Sequence, residues 1–193
     1  MRVCIVGDDL AAGIGDPRGL GWVGRVAART STAEPLAIYT LAVPQETSTQ
    51  LAARWETECN RRFDGSDDRL VVALGSADLD HGVSLARSRL NLANILDDAA
   101  NRRIPAFVVG PPPRPDADEQ LLQDLSRAFS DVCQRRRVPY AETFEPLRGH
   151  QQWVADVAGG DGYHPGQAGY GLLAWLVLHN GWHAWVGGED SAS

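Results

Sequence analysis

Val3-Cys-Ile-Val-Gly-Asp-Asp-Leu-Ala-Ala-Gly-Ile-Gly-Asp-Pro-Arg-Gly-Leu-Gly-Trp22 runs from a short apolar strand into a turn that carries two adjacent carboxylates. Val3 to Val6 is a continuous apolar run ended by Gly7, the pattern of a strand buried on both faces of a parallel sheet. Asp8 and Asp9 then stand at its carboxyl end, where open α/β sheets hold their ligands.

Downstream, apolar runs and helical patterns alternate. Leu20 to Arg29 has helical spacing, Leu36 to Val43 reads as a strand, and Thr47 to Phe63 as a helix opened by Thr or Ser caps. Arg69 to Gly75 is a third buried strand. Ser84 to Arg103 is a long helix with Leu85, Leu92, Ile95 and Leu96 on its inner face, and Ile104 to Gly110 is a fourth strand stopped by Pro111 to Pro113. Asp116 to Arg137 reads as a helix, Val138 to Ala141 as a short fifth strand and Pro165 to Asn180 as a closing helix. This alternation predicts one flavodoxin-like three-layer α/β/α domain over residues 1–193, with a parallel sheet of about five strands in the order 2-1-3-4-5.

Composition narrows the function. At 193 residues and 44 % hydrophobic content one globular core suffices, and the net charge of -7 argues against a nucleic-acid partner. All 18 basic residues are arginine, so no lysine is present to form a Schiff base. The pairs Arg61-Arg62 and Arg102-Arg103 and the run Arg135 to Arg137 suit helix ends, where cations complement the macrodipole. Cys4, Cys59 and Cys133 show no Cys-x-x-Cys spacing and read as buried reduced thiols. With no secretory leader visible and no apolar run long enough to span a bilayer, the expectation is a cytoplasmic protein without a membrane partner. Oligomeric state is not encoded in any of these features.

Four separated stretches, in order, resemble the blocks of the SGNH (GDSL) hydrolase family. Block I is Gly7-Asp8-Asp9-Leu10, where the family has Gly-Asp-Ser-Leu, and continues through Gly13, Gly15-Asp16-Pro17 and Gly21-Trp22. Block II is Leu41 to Ser48, block III is Gly75-Ser76-Ala77-Asp78 against the family's Gly-x-Asn-Asp, and block V is Asp161-Gly162-Tyr163-His164-Pro165. In the family the block I serine attacks a carbonyl, the block V histidine takes its proton and the block V aspartate orients the histidine. Backbone N–H groups near the serine and in block II, with the block III asparagine amide, hold the oxyanion. Here Asp9 replaces the nucleophile, Ala77 replaces the asparagine, and Gln45 takes a block II position often held by glycine. Only Asp161 and His164 survive of the side chains that do chemistry.

An ionised Asp9 beside a tetrahedral oxyanion would oppose ordinary ester hydrolysis. Like charges about 4 Å apart repel by on the order of 4 kcal/mol at an effective dielectric of 20. A carboxylate beside an Asp-His pair suits acid-base chemistry instead, in a cyclisation, isomerisation or elimination of a small organic substrate, acyl or polyketide-like, free or carrier-tethered. Desolvation lifts such a carboxyl toward neutrality. The resemblance therefore implies catalytic roles for Asp9, His164 and Asp161. Asp8, Leu10, Gln45, Gly75, Ser76, Ala77, Asp78, Trp153 and Tyr163 are expected around the substrate, with Asp8 and Asp78 also suited to holding their turns.

Other readings stay open at this level. Asp9 as a nucleophile or base for an atypical hydrolysis is one, and Ser76 as a substitute nucleophile is another. A metal held by Asp8, Asp9, Asp78, Asp80 and His81 is a third, and a non-catalytic binding or scaffold role a fourth. The leading expectation is no metal and no cofactor. Gly7, Gly13 and Gly15 match no phosphate-binding pattern, and two acids in the turn would repel a phosphate. Trp22, Trp55 and Trp175 read as core, Trp182 and Trp185 as packed back on the sheet, and His81, His150, His179 and His183 as surface or helix-end residues. Pro111 to Asp116 and Glu145 to Val154 are the expected substrate-shaping loops.

Overall fold

In the computed structural model, which describes residues 1–187, strand β1 (Arg2–Gly7) is followed by α1 (Asp9–Ala12), α2 (Gly21–Ala27), β2 (Ala37–Ala42) and α3 (Ser48–Asn60). Then come β3 (Asp68–Ala73), α4 (Ala77–Asp80), α5 (Leu85–Asn101), β4 (Ala106–Val109), α6 (Glu119–Arg136) and β5 (Tyr140–Ala141). The chain closes with α7 (Phe144–Leu147), α8 (Gln151–Ala158), α9 (Gln167–Val177), a wide turn over Leu178–Trp182, and α10 (His183–Val186).

The strands form one parallel sheet in the order β2-β1-β3-β4-β5, as the alternation predicts. The chain steps from β1 out to β2 and then back across β1 to β3, so the topology reverses at the carboxyl ends of β1 and β3. Gly7 pairs in register with Ala42 on one side and Ala73 on the other. Block I and block III therefore leave the sheet side by side, at the point where doubly wound sheets open a crevice.

Strand alternation divides the core. Val3 and Ile5 of β1 pack on one face with Val26, Trp153, Tyr170 and Leu173 from α2, α8 and α9. Cys4 and Val6 pack on the other face with Leu51, Leu92 and Leu122 from α3, α5 and α6. Burial of each large side chain contributes about 1.5–3 kcal/mol, so both faces hold the helices to the sheet. Helix starts follow local chemistry. Thr47 and Gln50 form a reciprocal capping box on α3, Ser84 caps α5, and Asp118 caps α6 two residues inside the predicted start. Arg61, Arg102 and Arg137 stand at the C-caps of α3, α5 and α6.

Two expectations about the core are corrected. Trp175 is 56 % exposed and stacks on His179 rather than entering the core, because α9 turns Tyr170, Leu173, Ala174 and Val177 inward. Leu85 is likewise exposed, and α5 enters the core through Leu92, Ile95, Leu96 and Ala99 instead. Trp22, Trp55 and Trp182 are buried, and Trp182 packs edge-on to Phe107. The cysteines are buried free thiols. Among the described residues no helix is long and apolar enough to cross a membrane.

Candidate active site

Asp9 opens α1 directly after β1 and is 3 % exposed. Its Oδ2 accepts two hydrogen bonds from one residue, the backbone N–H of Gln45 at 2.9 Å and the Gln45 Nε2 amide at 3.0 Å. The other oxygen, Oδ1, faces His164 Nε2 at 4.0 Å. His164 is oriented from its opposite side, where Nδ1 meets Asp161 Oδ2 at 2.6 Å. Asp161 Oδ1 also accepts the backbone N–H groups of Tyr163 and His164, at 2.8 and 2.7 Å, which makes the block V turn a rigid mount for the ring. The bond from the His164 ring, helped by the His164 backbone N–H, pulls the Asp161 carboxyl down to about 2. Since Nδ1 is engaged by a carboxylate, Nε2 is the nitrogen left to exchange a proton. It is buried and has no hydrogen-bond partner among the described residues.

The floor is built by Asp8. Its Oδ1 accepts the Leu10 N–H at 3.1 Å and its Oδ2 the Gly75 N–H at 2.9 Å, so it ties block I to block III. Gly75 is required for this contact, because a Cβ there would stand 2.3 Å from Asp8 Oδ2. Burial pushes the Asp8 carboxyl up to about 7, against the Leu10 N–H and with the neighbouring Asp9 charge adding to the rise. Gly15 plays the matching part toward block V. Its φ is +91°, and a Cβ would meet His164 Cβ and the Pro165 carbonyl oxygen at 2.8 Å.

Leu10, Ser76, Pro112, Pro113, Arg114, Trp153 and Tyr163 line a cleft with about 260 Å³ of empty space. Beneath Leu10 and Pro112 lies a second space of about 240 Å³, walled by Trp22, Leu74, Val109 and Leu173 with Asp8 and Gly75 at one side. Each has room for the centre of about one water, about 10 Å³, so an organic ligand enters only if the lining side chains move. On the far side of His164 and Asp161 a wider open groove of about 890 Å³ runs over Gly15, Asp156, Gly160 and Gln167.

Of the residues expected around a substrate, Leu10, Ser76, Trp153 and Tyr163 line the cleft, while Asp8 and Gly75 line the inner space. Gln45 turns its backbone N–H and its side-chain amide to Asp9. Ala77 and Asp78 are buried and line neither space. Asp78 Oδ1 instead accepts the Ser48 N–H at 2.7 Å and braces the start of α3. Trp153 is held in α8 rather than in a loop, with its Nε1 donating to the Pro113 carbonyl oxygen at 3.0 Å. The Glu145 to Val154 segment is thus mostly helical, and only Pro111 to Asp116 shapes the cleft as a loop.

Arg114 is the residue of this region that local sequence does not mark, beyond its place among the prolines of Pro111 to Pro115. Its NH1 donates to Ser76 Oγ at 2.7 Å, it forms a two-pronged pair with Asp80 at 2.6 Å, and its guanidinium lies 4.5 Å from the centre of the Tyr163 ring. The Asp80 bonds push its pKa up and secure its charge. Tyr163 in turn packs edge-on to His164 at 4.6 Å. Asp80 is therefore committed to Arg114, Asp78 to α3 and Asp8 to Gly75. Among the described residues no cluster of three or more His, Cys, Asp or Glu side chains comes together to hold a metal.

Fold and site bring blocks I, III and V together at the carboxyl end of one doubly wound sheet, with the Asp161-His164 pair beside a small cleft. The chain belongs to the GDSL-like lipase/acylhydrolase family, whose model matches residues 5–172. No curated protein matches the sequence. Among solved structures, the lipase/acylhydrolase from Enterococcus faecalis is 21 % identical, with a TM-score of 0.78 over 95 % of this chain and 97 % of that one. Axe2, an acetylxylan esterase from Geobacillus stearothermophilus, is 16 % identical, with a TM-score of 0.79 over 97 % and 94 %. TesA is 22 % identical, with a TM-score of 0.75 over 94 % and 98 %. At these identities the likeness is one of fold.

Proposed function

We propose that this GDSL-family domain binds a small organic substrate in the cleft beside Leu10, Ser76 and Tyr163. It moves a proton there through Asp9 and His164, in an isomerisation, elimination or cyclisation. One observation carries this reading. The Gln45 N–H, in the block that the family resemblance assigns to the oxyanion, is occupied by Asp9 Oδ2. A tetrahedral acyl intermediate would lose that donor and gain a carboxylate neighbour. Loss of one such donor costs roughly 3 kcal/mol, and the charge repulsion adds on the order of 4 kcal/mol at short range.

Proton transfer uses the same geometry well. A substrate oxygen or acidic C–H placed between Asp9 Oδ1 and His164 Nε2 reaches both, since the two atoms are 4.0 Å apart and a bridging atom about 2.8 Å from each fits across that gap. His164 accepts or returns the proton at Nε2 while Asp161 stabilises the imidazolium through Nδ1. Leu10, Pro112 and Trp153 exclude water, and the Ser76 and Tyr163 hydroxyls supply hydrogen bonds to a substrate oxygen. No cofactor is needed for such a step.

Family membership favours a second reading, hydrolysis of an ester or related bond with Asp9 as base or nucleophile. One assay separates the two. Cyclohexanone and 1-indanone are incubated with the protein in D2O, and loss of α-proton signals is followed by NMR beside the hydrolysis of aryl acetates. Catalysed exchange that disappears in both Asp9→Asn and His164→Ala, with ester turnover near background, is the expected result. Ester turnover that depends on Asp9, with no catalysed exchange, would replace the first reading with the second.

A further inference from the structure

Gln45 is a left-handed residue, with φ of +58°. Glycine adopts that backbone freely, whereas a residue with a Cβ pays for it, so a side chain retained there needs a reason. The reason is visible in its amide. Nε2 and the backbone N–H of the same residue converge on one oxygen of Asp9, at 3.0 and 2.9 Å. A carboxylate held by a single donor can turn about its Cβ–Cγ bond and exchange its two oxygens. Two donors on Oδ2 remove that freedom and leave Oδ1 as the oxygen turned to His164. The backbone N–H, the donor that the family resemblance gives to the oxyanion, is taken by Asp9.

We infer that Gln45 is the positioning residue of the site, gripping Asp9 through Oδ2 so that Oδ1 is the atom that exchanges a proton across the gap to His164. The mechanistic half of this inference rests on the proton-transfer reading above, whereas the orientation of Asp9 does not. It departs from an oxyanion role for this segment, because the ligand of the two donors is the protein's own carboxylate.

The test uses the full chain with ¹⁵N-labelled histidine and the variants Gln45→Gly, Gln45→Met and Asp9→Asn. Gln45→Gly keeps the backbone N–H and relieves the left-handed backbone, so its melting temperature is expected not to fall. Gln45→Met keeps the backbone N–H and the side-chain length without the amide. In both, the His164 Nε2 resonance is expected to move in the same direction as in Asp9→Asn, with the Asp161-bound Nδ1 resonance unmoved. In both, α-proton exchange of cyclohexanone should fall at least tenfold in kcat at unchanged KM. A His164 Nε2 resonance that coincides with wild type in both Gln45 variants would overturn the inference. Absence of exchange in the wild-type protein, with the Nε2 resonance moving as expected, would overturn the proton-transfer reading while upholding Gln45 as the holder of Asp9.

Discussion

Asp8 and Asp9 are neighbours with different chemistry, and their surroundings make the difference. Asp9 takes its donors from block II and faces an imidazole. Asp8 is sunk between Leu10 and Gly75, where burial lifts its carboxyl from an ordinary 3.8 to about 7. A carboxyl whose folded pKa lies above its unfolded value binds its proton more tightly in the folded state. Its contribution to stability is full below about pH 3.8 and is lost as pH rises through about 7, a change of about 4 kcal/mol at most. The melting temperature of the wild-type protein is therefore expected to fall between pH 5 and pH 8.5, and Asp8→Asn to flatten that slope. An equal slope in the variant would mean that Asp8 is ionised throughout. The residues that anchor the Asp8 carboxyl, Leu10 and Gly75, lie two and 67 positions away. The first contact is implicit in a Gly-Asp-x-Leu turn, whereas the second depends on β1 and β3 emerging together.

Among the elements, the turn from α1 to α2 depends on Asp16. Its Oδ1 accepts the Arg18 N–H at 3.0 Å, its Oδ2 the Leu20 and Gly21 N–H groups at 3.2 and 2.9 Å, and its remaining partner is the buried Arg25 guanidinium. The Arg25 bond pulls the Asp16 carboxyl down to about 2. Arg25 also donates to the Gly21 carbonyl oxygen at 2.7 Å, so one ion pair closes the turn from both sides. Removing one member of a buried pair leaves the other charge unmatched at a cost of about 3–5 kcal/mol. Asp16→Ala should lower the denaturant midpoint by a corresponding amount with little change in the unfolding slope, a shift that urea titration reads directly. The sequence marks Asp16 as part of a turn, since Asp-Pro-x-Gly is turn chemistry. It does not mark Arg25 as its partner, because a helical arginine faces solvent unless a neighbouring loop folds over it.

The molecule as a whole is held by two cores that meet through the sheet, and its last turns lock one of them. Trp182 is buried, packs edge-on to Phe107 of β4 at 5.7 Å and donates from Nε1 to Thr30 Oγ1 at 2.8 Å, just past α2. It thus joins the closing segment to the middle of the sheet and to the first large helix. Trp182→Ala should cost about 3–5 kcal/mol and lower the melting temperature of one cooperative transition, measured by near-UV and far-UV circular dichroism together. Separate transitions by the two probes would show that the two faces of the sheet unfold independently.

Local chemistry determined the strands, most of the caps and the blocks. Apolar runs ended by glycine, Thr47 and Ser84 before helical patterns, and Asp161-to-Pro165 before the closing helix act over a few residues, so the sequence alone carries them. It also carried the substitution of aspartate for serine at position 9, and with it the family and the anomaly together. Tertiary structure decided what that aspartate touches. The Gln45 donors come from 36 residues away, and His164 is brought opposite by the last helix. Arg114 is drawn under Tyr163 by Asp80, and Trp175 is turned outward by the residues on the other side of its own helix. Such contacts depend on where distant segments come to rest, and hydrophobic spacing along a chain specifies which face is buried without specifying which polar atoms meet above it.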